Sequence, residues 1–234
     1  MGYADVEFGG IWSSSMQIFS TGYPTIPSSA EKLTETDVPG KDGKLQKGSG
    51  TYDSTEITVE FNYIGKESSW NQKWREVKKW FSQRNTTLKF ADDTDYFFKI
   101  SHVKVSENQR TSRRIGKFSA VFVTKDGLSY LTDGTEKKEI SEVLENPGIT
   151  AHPDYYIEGN GTCVLTVNGN EMTVNVSGNI IINTDLMISY QEDNTNQNIA
   201  VSGEYEGLYL QPGLNEISVT DGFSCQVVPN WRCL

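Results

Sequence analysis

His102 and His152 are the only histidines in this chain of 234 residues. With Cys163, Cys225 and Cys233 they are the side chains best suited to nucleophilic or zinc chemistry. Their spacing supports neither. No HExxH sets two imidazoles on one helix face, no Ser-His-Asp arrangement stands out, and the cysteines form no ligand pair of the CxxC kind. The three read as reduced thiols, with pairing of Cys225 and Cys233 left open. Asp92, Asp93 and Asp95 in ADDTDY crowd carboxylates as a calcium loop does. They lack the glycine and distal glutamate with which such a loop gathers about six to eight oxygens, so a solvated turn is the reading. Glu192 and Asp193 read as a polar loop rather than an acid/base pair. VPGKDGKL (38–45) has glycines and lysines, but no GxxxxGK[ST] and no following helix to offer N–H groups to a phosphate. No enzyme, cofactor or metal is expected.

The elements around these residues are strands. In YDSTEITVEFNY (52–63), Ile57, Val59, Phe61 and Tyr63 alternate with Thr58, Glu60 and Asn62, the period of a half-buried antiparallel strand. The period then changes. Trp70, Trp74, Val77 and Phe81 fall at helical steps, Ser69 with Gln72 fits a capping box, and Lys78, Lys79 and Arg84 suit the helix C-terminus. Strands resume at 87–90, 96–105 and 115–124. The polar run 107–114 forms a hairpin tip, and Lys125-Asp126-Gly127 reads as a second turn. His102 has the parity of a cross-strand partner.

Beyond 149, GNG (159–161), NGN (168–170), SGN (177–179) and QPG (211–213) punctuate short apolar runs, which predicts a β-sandwich. Asn168-Gly169 is the strongest hairpin signal.

Charge divides the chain. Residues 1–139 hold 20 Lys and Arg against 19 Asp and Glu, while 140–234 hold Arg232 alone against 12 acids. That shift marks a domain boundary inside 129–148, giving domains 1–140 and 141–234, and it excludes nucleic-acid binding by the acidic half. Arg110, Arg113 and Arg114 make a basic tip with Lys117 nearby, but no interleaved aromatics make it a single-strand platform. Tyr155, Tyr205 and Tyr209 are the candidates for stacking on a glycan. MGYADVEFGG has no basic start or apolar core, Val6 stands where myristoylation needs Ser or Thr, and no apolar run approaches a membrane span.

The order of these features resembles the distal tail proteins of long-tailed bacteriophages and prophages, the Dit family. The resemblance runs from Phe8-Gly9 through VPGKDG, YDSTEITVEFNYIG, WFSQR and LKFADDTDYFFKI. It continues through ENPG, PDYYIEGNGTCVLTVNGNEMTVN, IIINTD, SYQEDNTNQN and SGEYEGLYLQPGLNEISV to VVPNWRCL. It departs at Cys233, where the family often has an aromatic, and it leaves no room for an inserted carbohydrate-binding module.

The resemblance implies a mainly β fold, with an N-terminal tail-tube-like β domain carrying one α-helix and a C-terminal galectin-like β-sandwich. It implies a structural virion protein at the tail tip, assembled in the host bacterial cytoplasm as a hexameric ring. Its expected partners are the tail tube protein, a tail-associated lysin or tip protein and receptor-binding proteins, with DNA passing only through the channel and no membrane. Val38, Pro39, Gly40, Lys41, Asp42 and Gly43 with the strand after them, and Arg110, Arg113 and Arg114, are the expected subunit contacts. The alternative is a carbohydrate-binding module that recognises cell-wall glycans through its C-terminal sandwich.

Overall fold

In the computed structural model, which describes residues 5–40, 42–140 and 143–234, the chain divides into two units, Met1–Ser129 with Leu234, and Tyr130–Cys233. The fold is mainly β with one α-helix, as the alternating patterns predict. Three short strands open the first unit: β1 (Val6–Phe8), β2 (Ile11–Trp12) and β3 (Ile18–Ser20). A separate ribbon follows, β4 (Glu31–Asp37) with β5 (Lys44–Tyr52). Then come β6 (Glu56–Ile64), helix α1 (Trp70–Phe81), β7 (Thr86–Phe90), β8 (Asp93–Val105), β9 (Gln109–Arg110) and β10 (Ile115–Leu131). The sheet runs in the order β2-β1-β7-β8-β10-β6-β3.

The core follows from the alternation. Ile57, Val59, Phe61 and Tyr63 are buried while Thr58 and Glu60 are exposed. Antiparallel pairing sets Phe118 opposite Phe61 and Phe122 opposite Ile57, so both strands turn the same face inward. Phe81, the last residue of α1, lies 5.8 Å by ring centroid from each of Phe8, Phe61, Phe118 and Phe122. Each such aromatic pair adds about 0.5–1.5 kcal/mol beyond simple burial, which fixes the helix on the sheet.

The apolar stripe of α1 packs on the core as its helical steps predict, whereas its expected capping box does not form. Its buried face is Trp70, Val77, Trp80 and Phe81, with Trp74 only partly buried against the core. Trp80, three residues after Val77, widens the same stripe, and its indole Nε1 donates to the carbonyl of Phe8 at 3.0 Å. Ser69 stands at the N-cap position, but it also ends a 3-10 turn, Glu67–Ser69, and makes no side-chain cap bond. Gln72 bonds along the helix to Glu76 instead, at 3.5 Å.

The turn expected at Lys125-Asp126-Gly127 is also absent, because β10 continues through it. Gly127 takes φ +67°, and a Cβ there would meet Ser29 Oγ at 2.6 Å and the Asp53 carbonyl at 2.7 Å. The glycine serves a close approach within a strand. For His102 the side-chain partner is Ser101, next to it in β8, at 3.3 Å, rather than a residue across the sheet.

The second unit contains β11 (Lys138–Glu139), β12 (Leu144–Asn146), β13 (Asp154–Val167), β14 (Asn170–Asn183), β15 (Ile188–Tyr190), β16 (Val201–Ser202), β17 (Gly213–Asn215), β18 (Ile217–Val219), β19 (Ser224–Val228) and β20 (Arg232–Cys233). Its axis is one long hairpin, β13 with β14, paired without interruption from Asp154–Asn183 to Val167–Asn170. Asn168 (φ 50°) and Gly169 (φ 82°) form the expected two-residue turn.

GNG and SGN, expected as turns, lie instead inside this hairpin, with Gly159 opposite Gly178. Gly159 has φ +150°, and a Cβ on it would strike the Phe223 ring at 2.3 Å. These glycines admit a ring and a bend rather than ending strands. One half of the hairpin pairs with β19 and β15, the other with β18 and β16, and residues from both halves share one buried cluster.

Candidate interaction surfaces

The VPGKDG stretch closes the ribbon β4–β5, whose last pair is Asp37 with Lys44. Val38, Pro39, Gly40, Asp42 and Gly43 form its tip; Lys41 lies outside the described residues. Every residue of β4 and all but Tyr52 of β5 are exposed, among them Leu33 and Leu45, each about half accessible at 51% and 53%. Leu33 pairs with Gly48 and Leu45 with Thr36, three pairs further along, so they project from opposite faces of the ribbon. Polar pairs hold the two strands: Glu35 accepts from Lys44 at 2.9 Å and Gln46 at 3.0 Å, bonds that hold its carboxyl below the ordinary range, the lysine first. The foot of the ribbon is tied down. Asp53 N–H donates to the Ala30 carbonyl at 3.2 Å, Lys32 lies 3.5 Å from Asp53, and Ser29 Oγ donates to the Gly127 carbonyl.

The three arginines of the 107–114 hairpin have different surroundings. Arg110 folds back: its guanidinium lies 4.6 Å over the Trp70 ring, and its Nη2 and Nε donate to the carbonyls of Arg113 (2.7 Å) and Ser112 (3.2 Å). Arg113 is 3.9 Å from Glu67 with its side chain 85% accessible. The Arg114 carbonyl accepts from Gly65 N–H at 2.8 Å. The ribbon foot and the arginine hairpin flank opposite ends of β6, a separation of about 30 Å at the rise of an extended strand.

The tyrosines proposed for glycan contact do not form a platform. Tyr155 is fully buried and its hydroxyl donates to the Leu208 carbonyl at 2.8 Å; with no ring face in solvent, that assignment is withdrawn. Tyr205 packs against the core, its hydroxyl 3.4 Å from Ser189 Oγ. Tyr209 stacks on His152 at 4.1 Å.

His152 is a bridge. Arg232 Nη2 donates to its Nε2 at 3.0 Å, which leaves Nδ1–H to donate to Asp185 at 2.9 Å. Arg232, buried, also donates through Nε to the Thr150 carbonyl at 2.8 Å. The sequence carried no signal for this network, since its members are 33 and 80 residues from His152.

Asp93 opens β8, paired with Phe90 across the exposed two-residue turn, its carboxyl raised by partial burial and then by Asp92 and Asp95. Glu192 and Asp193 lie in a loop, Asp193 accepting from Thr195 N–H at 2.9 Å. None of the three cysteines forms a disulfide. Among the described residues no cluster of three or more His, Cys, Asp or Glu is placed to hold a metal ion, and no helix is long and apolar enough to cross a membrane.

Among the described residues this fold is a two-unit antiparallel β scaffold with a single α-helix and a two-stranded ribbon. No family model matches the chain, and no curated protein matches it. Among solved structures it is similar to the SPP1 Dit protein (gp 19.1), described as a paradigm of the hub adsorption apparatus in phages that infect Gram-positive bacteria. The TM-score is 0.72 at 11% identity, with 100% of both chains covered. At that identity the likeness is one of fold, and it runs through both units.

Proposed function

We propose that the chain is a structural subunit of a phage tail tip, a distal-tail hub of the adsorption apparatus. In this reading it assembles as a hexameric ring that joins the tail tube to the tip protein or tail-associated lysin and to receptor-binding proteins, and leaves a channel for DNA. The first unit forms the ring as a tail-tube-like domain, and the second is a galectin-like sandwich at its periphery. The observation that carries the reading is the fold likeness to a hub protein over the full length of both chains.

The ribbon supports self-association on physical grounds. A two-stranded ribbon with neither face packed is marginal by itself in water, and this one exposes leucines on both faces. Docking against a neighbouring copy would cover them. A head-to-tail contact repeated around an axis closes a ring and removes exposed strand edges. Arg113 and Arg114, across the unit from the ribbon foot, suit the second side of such a contact. The test is the mass of the purified chain by light scattering followed by negative-stain imaging. A ring of six supports the reading; a monomer at every concentration, with or without tail tube protein, overturns it.

A further inference from the structure

The residues of β13 and β14 that alternate with the buried ones build a second face. Tyr155, Ile157, Ile180 and Ile182 belong to the core. Tyr156 pairs with Ile181 on β14, and Ile181 pairs with Tyr190 on β15, so these three side chains stand in one row on the opposite side. At the spacing of adjacent strands the two tyrosines are about 10 Å apart, with Ile181 as the floor between them. Both rings are half-buried, so neither is sealed off.

Carboxylates border this row. Asp154 precedes Tyr156 by two residues on the same face of β13. Glu192 is held at the other flank: its N–H donates at 3.1 Å to Oδ1 of Asn179, which precedes Ile181 by two on β14, whereas Asn183, the partner of Asp154, follows it by two. Burial first, and then the charge of Asp154, push the hydroxyls of Tyr156 and Tyr190 above their ordinary range, with Glu192 adding to the effect at Tyr156. One further group is present: Lys137 Nζ lies 3.7 Å from the centroid of the Tyr156 ring. An ammonium already rests on the Tyr156 ring.

We infer that this row is a binding site for an organic ammonium group, with Tyr156 and Tyr190 as aromatic walls, Asp154 and Glu192 as counter-charges and Lys137 as an internal occupant that the ligand displaces. The negative face of a tyrosine ring attracts a cation, most strongly where water is partly excluded. The surrounding charge selects the same sign, since residues 140–234 carry one Lys or Arg against 12 acids. An anionic ligand would be repelled, and a neutral polyol would hydrogen-bond the carboxylates but gain neither their charge attraction nor a cation–π contact. The inference goes beyond the assembly reading and does not depend on it, because the whole row lies within one unit of one chain.

The experiment is calorimetric titration of the full chain with choline and, separately, with 3,3-dimethyl-1-butanol, a neutral molecule of the same shape. Choline binds saturably and the alcohol does not. Lys137→Ala, at an exposed position, empties the site and tightens choline binding, by roughly two- to thirtyfold for a cation–π contact. Tyr156→Phe retains binding, whereas Tyr156→Leu and Asp154→Asn weaken it. Equal behaviour of choline and the alcohol, absence of saturation in both the parent and Lys137→Ala, or an affinity that Lys137→Ala leaves unchanged would each overturn the assignment.

Discussion

Ser29 donates its hydroxyl hydrogen to the carbonyl oxygen of Gly127, pinning the foot of the β4–β5 ribbon to the C-terminal part of β10. The contact exists because Gly127 has no side chain: a Cβ there would sit 2.6 Å from Ser29 Oγ and 2.7 Å from the Asp53 carbonyl, at a φ of +67°. Gly127→Ala therefore meets both backbone strain and a collision. Its expected cost is about 1–3 kcal/mol, read as a lower urea midpoint. Gly40, at the ribbon tip with φ +80°, has nothing within 4 Å of its missing Cβ. Gly40→Ala incurs the strain alone and should lower the midpoint less.

That glycine also shows where sequence patterns stop. Lys125-Asp126-Gly127 has turn composition, yet the strand continues, because a glycine needed for close approach is written the same way as one needed for a turn. GNG fails as a turn for the same reason: Phe223, more than sixty residues away in the chain, occupies the space at Gly159, whereas Gly178 of SGN faces open space and is carried past a turn by its pairing opposite Gly159. Where a periodic apolar face meets a core, as at Ile57, Val59, Phe61 and Tyr63, alternation was sufficient. The ribbon strand β4, EKLTETD, went unseen because both of its faces are exposed and no hydrophobic period marks it. The ammonium row was hidden differently. Tyr156 and Tyr190 become neighbours only through the register of β13, β14 and β15, while Tyr155, beside Tyr156 in the chain, points into the core.

Asp5 predicts an acid-sensitive start to the chain. Partial burial would raise its carboxyl, but bonds from the Ser13 and Ser14 hydroxyls and from the Ser14 and Val6 N–H groups outweigh this and hold it below the ordinary range. A depressed folded-state value gives stability that is present above the unfolded value, about 3.9, and is lost as pH falls through the folded one. Asp5→Asn should flatten the acid limb of a stability profile below about pH 4 and leave its slope near neutrality unchanged. Denaturant midpoints between pH 2 and pH 7 measure this.

Cys225 works in the opposite sense. Burial, and then Cys163 and Glu139, push its thiol up to about 12. A raised folded-state value means stability that is complete below the unfolded thiol value, about 8.5, and lost as pH rises above it. Cys225→Ala should lessen the decline between about pH 8.5 and pH 10, although the cavity it leaves lowers stability at every pH. In the native protein at pH 8, iodoacetamide should label Cys233, only half-buried, well before Cys163 and Cys225, both buried. Mass spectrometry of the labelled peptides gives the order, and rapid native labelling of Cys225 would contradict the buried β19 position.

Charge reversal separates the two candidate subunit contacts. Arg113 and Arg114 lie in an exposed loop, so Arg113→Glu with Arg114→Glu should change the stability of the single chain by no more than about 0.5 kcal/mol each. Assembly is another matter, because like charges brought to a subunit contact oppose it across every interface of a ring. Leu33→Asp with Leu45→Asp asks the same of the ribbon, replacing exposed apolar groups by charges that tolerate water but not a packed neighbour. Both pairs should reduce the assembled fraction in light scattering at matched concentration while leaving thermal unfolding close to the parent. Arg110→Ala is the control: its guanidinium is engaged with Trp70 and the hairpin carbonyls, so its loss should cost about 0.5–1 kcal/mol of fold stability through the cation–π contact, with little direct effect on assembly. An assembled mass unchanged by the arginine pair but reduced by the leucine pair would assign the contact to the ribbon alone.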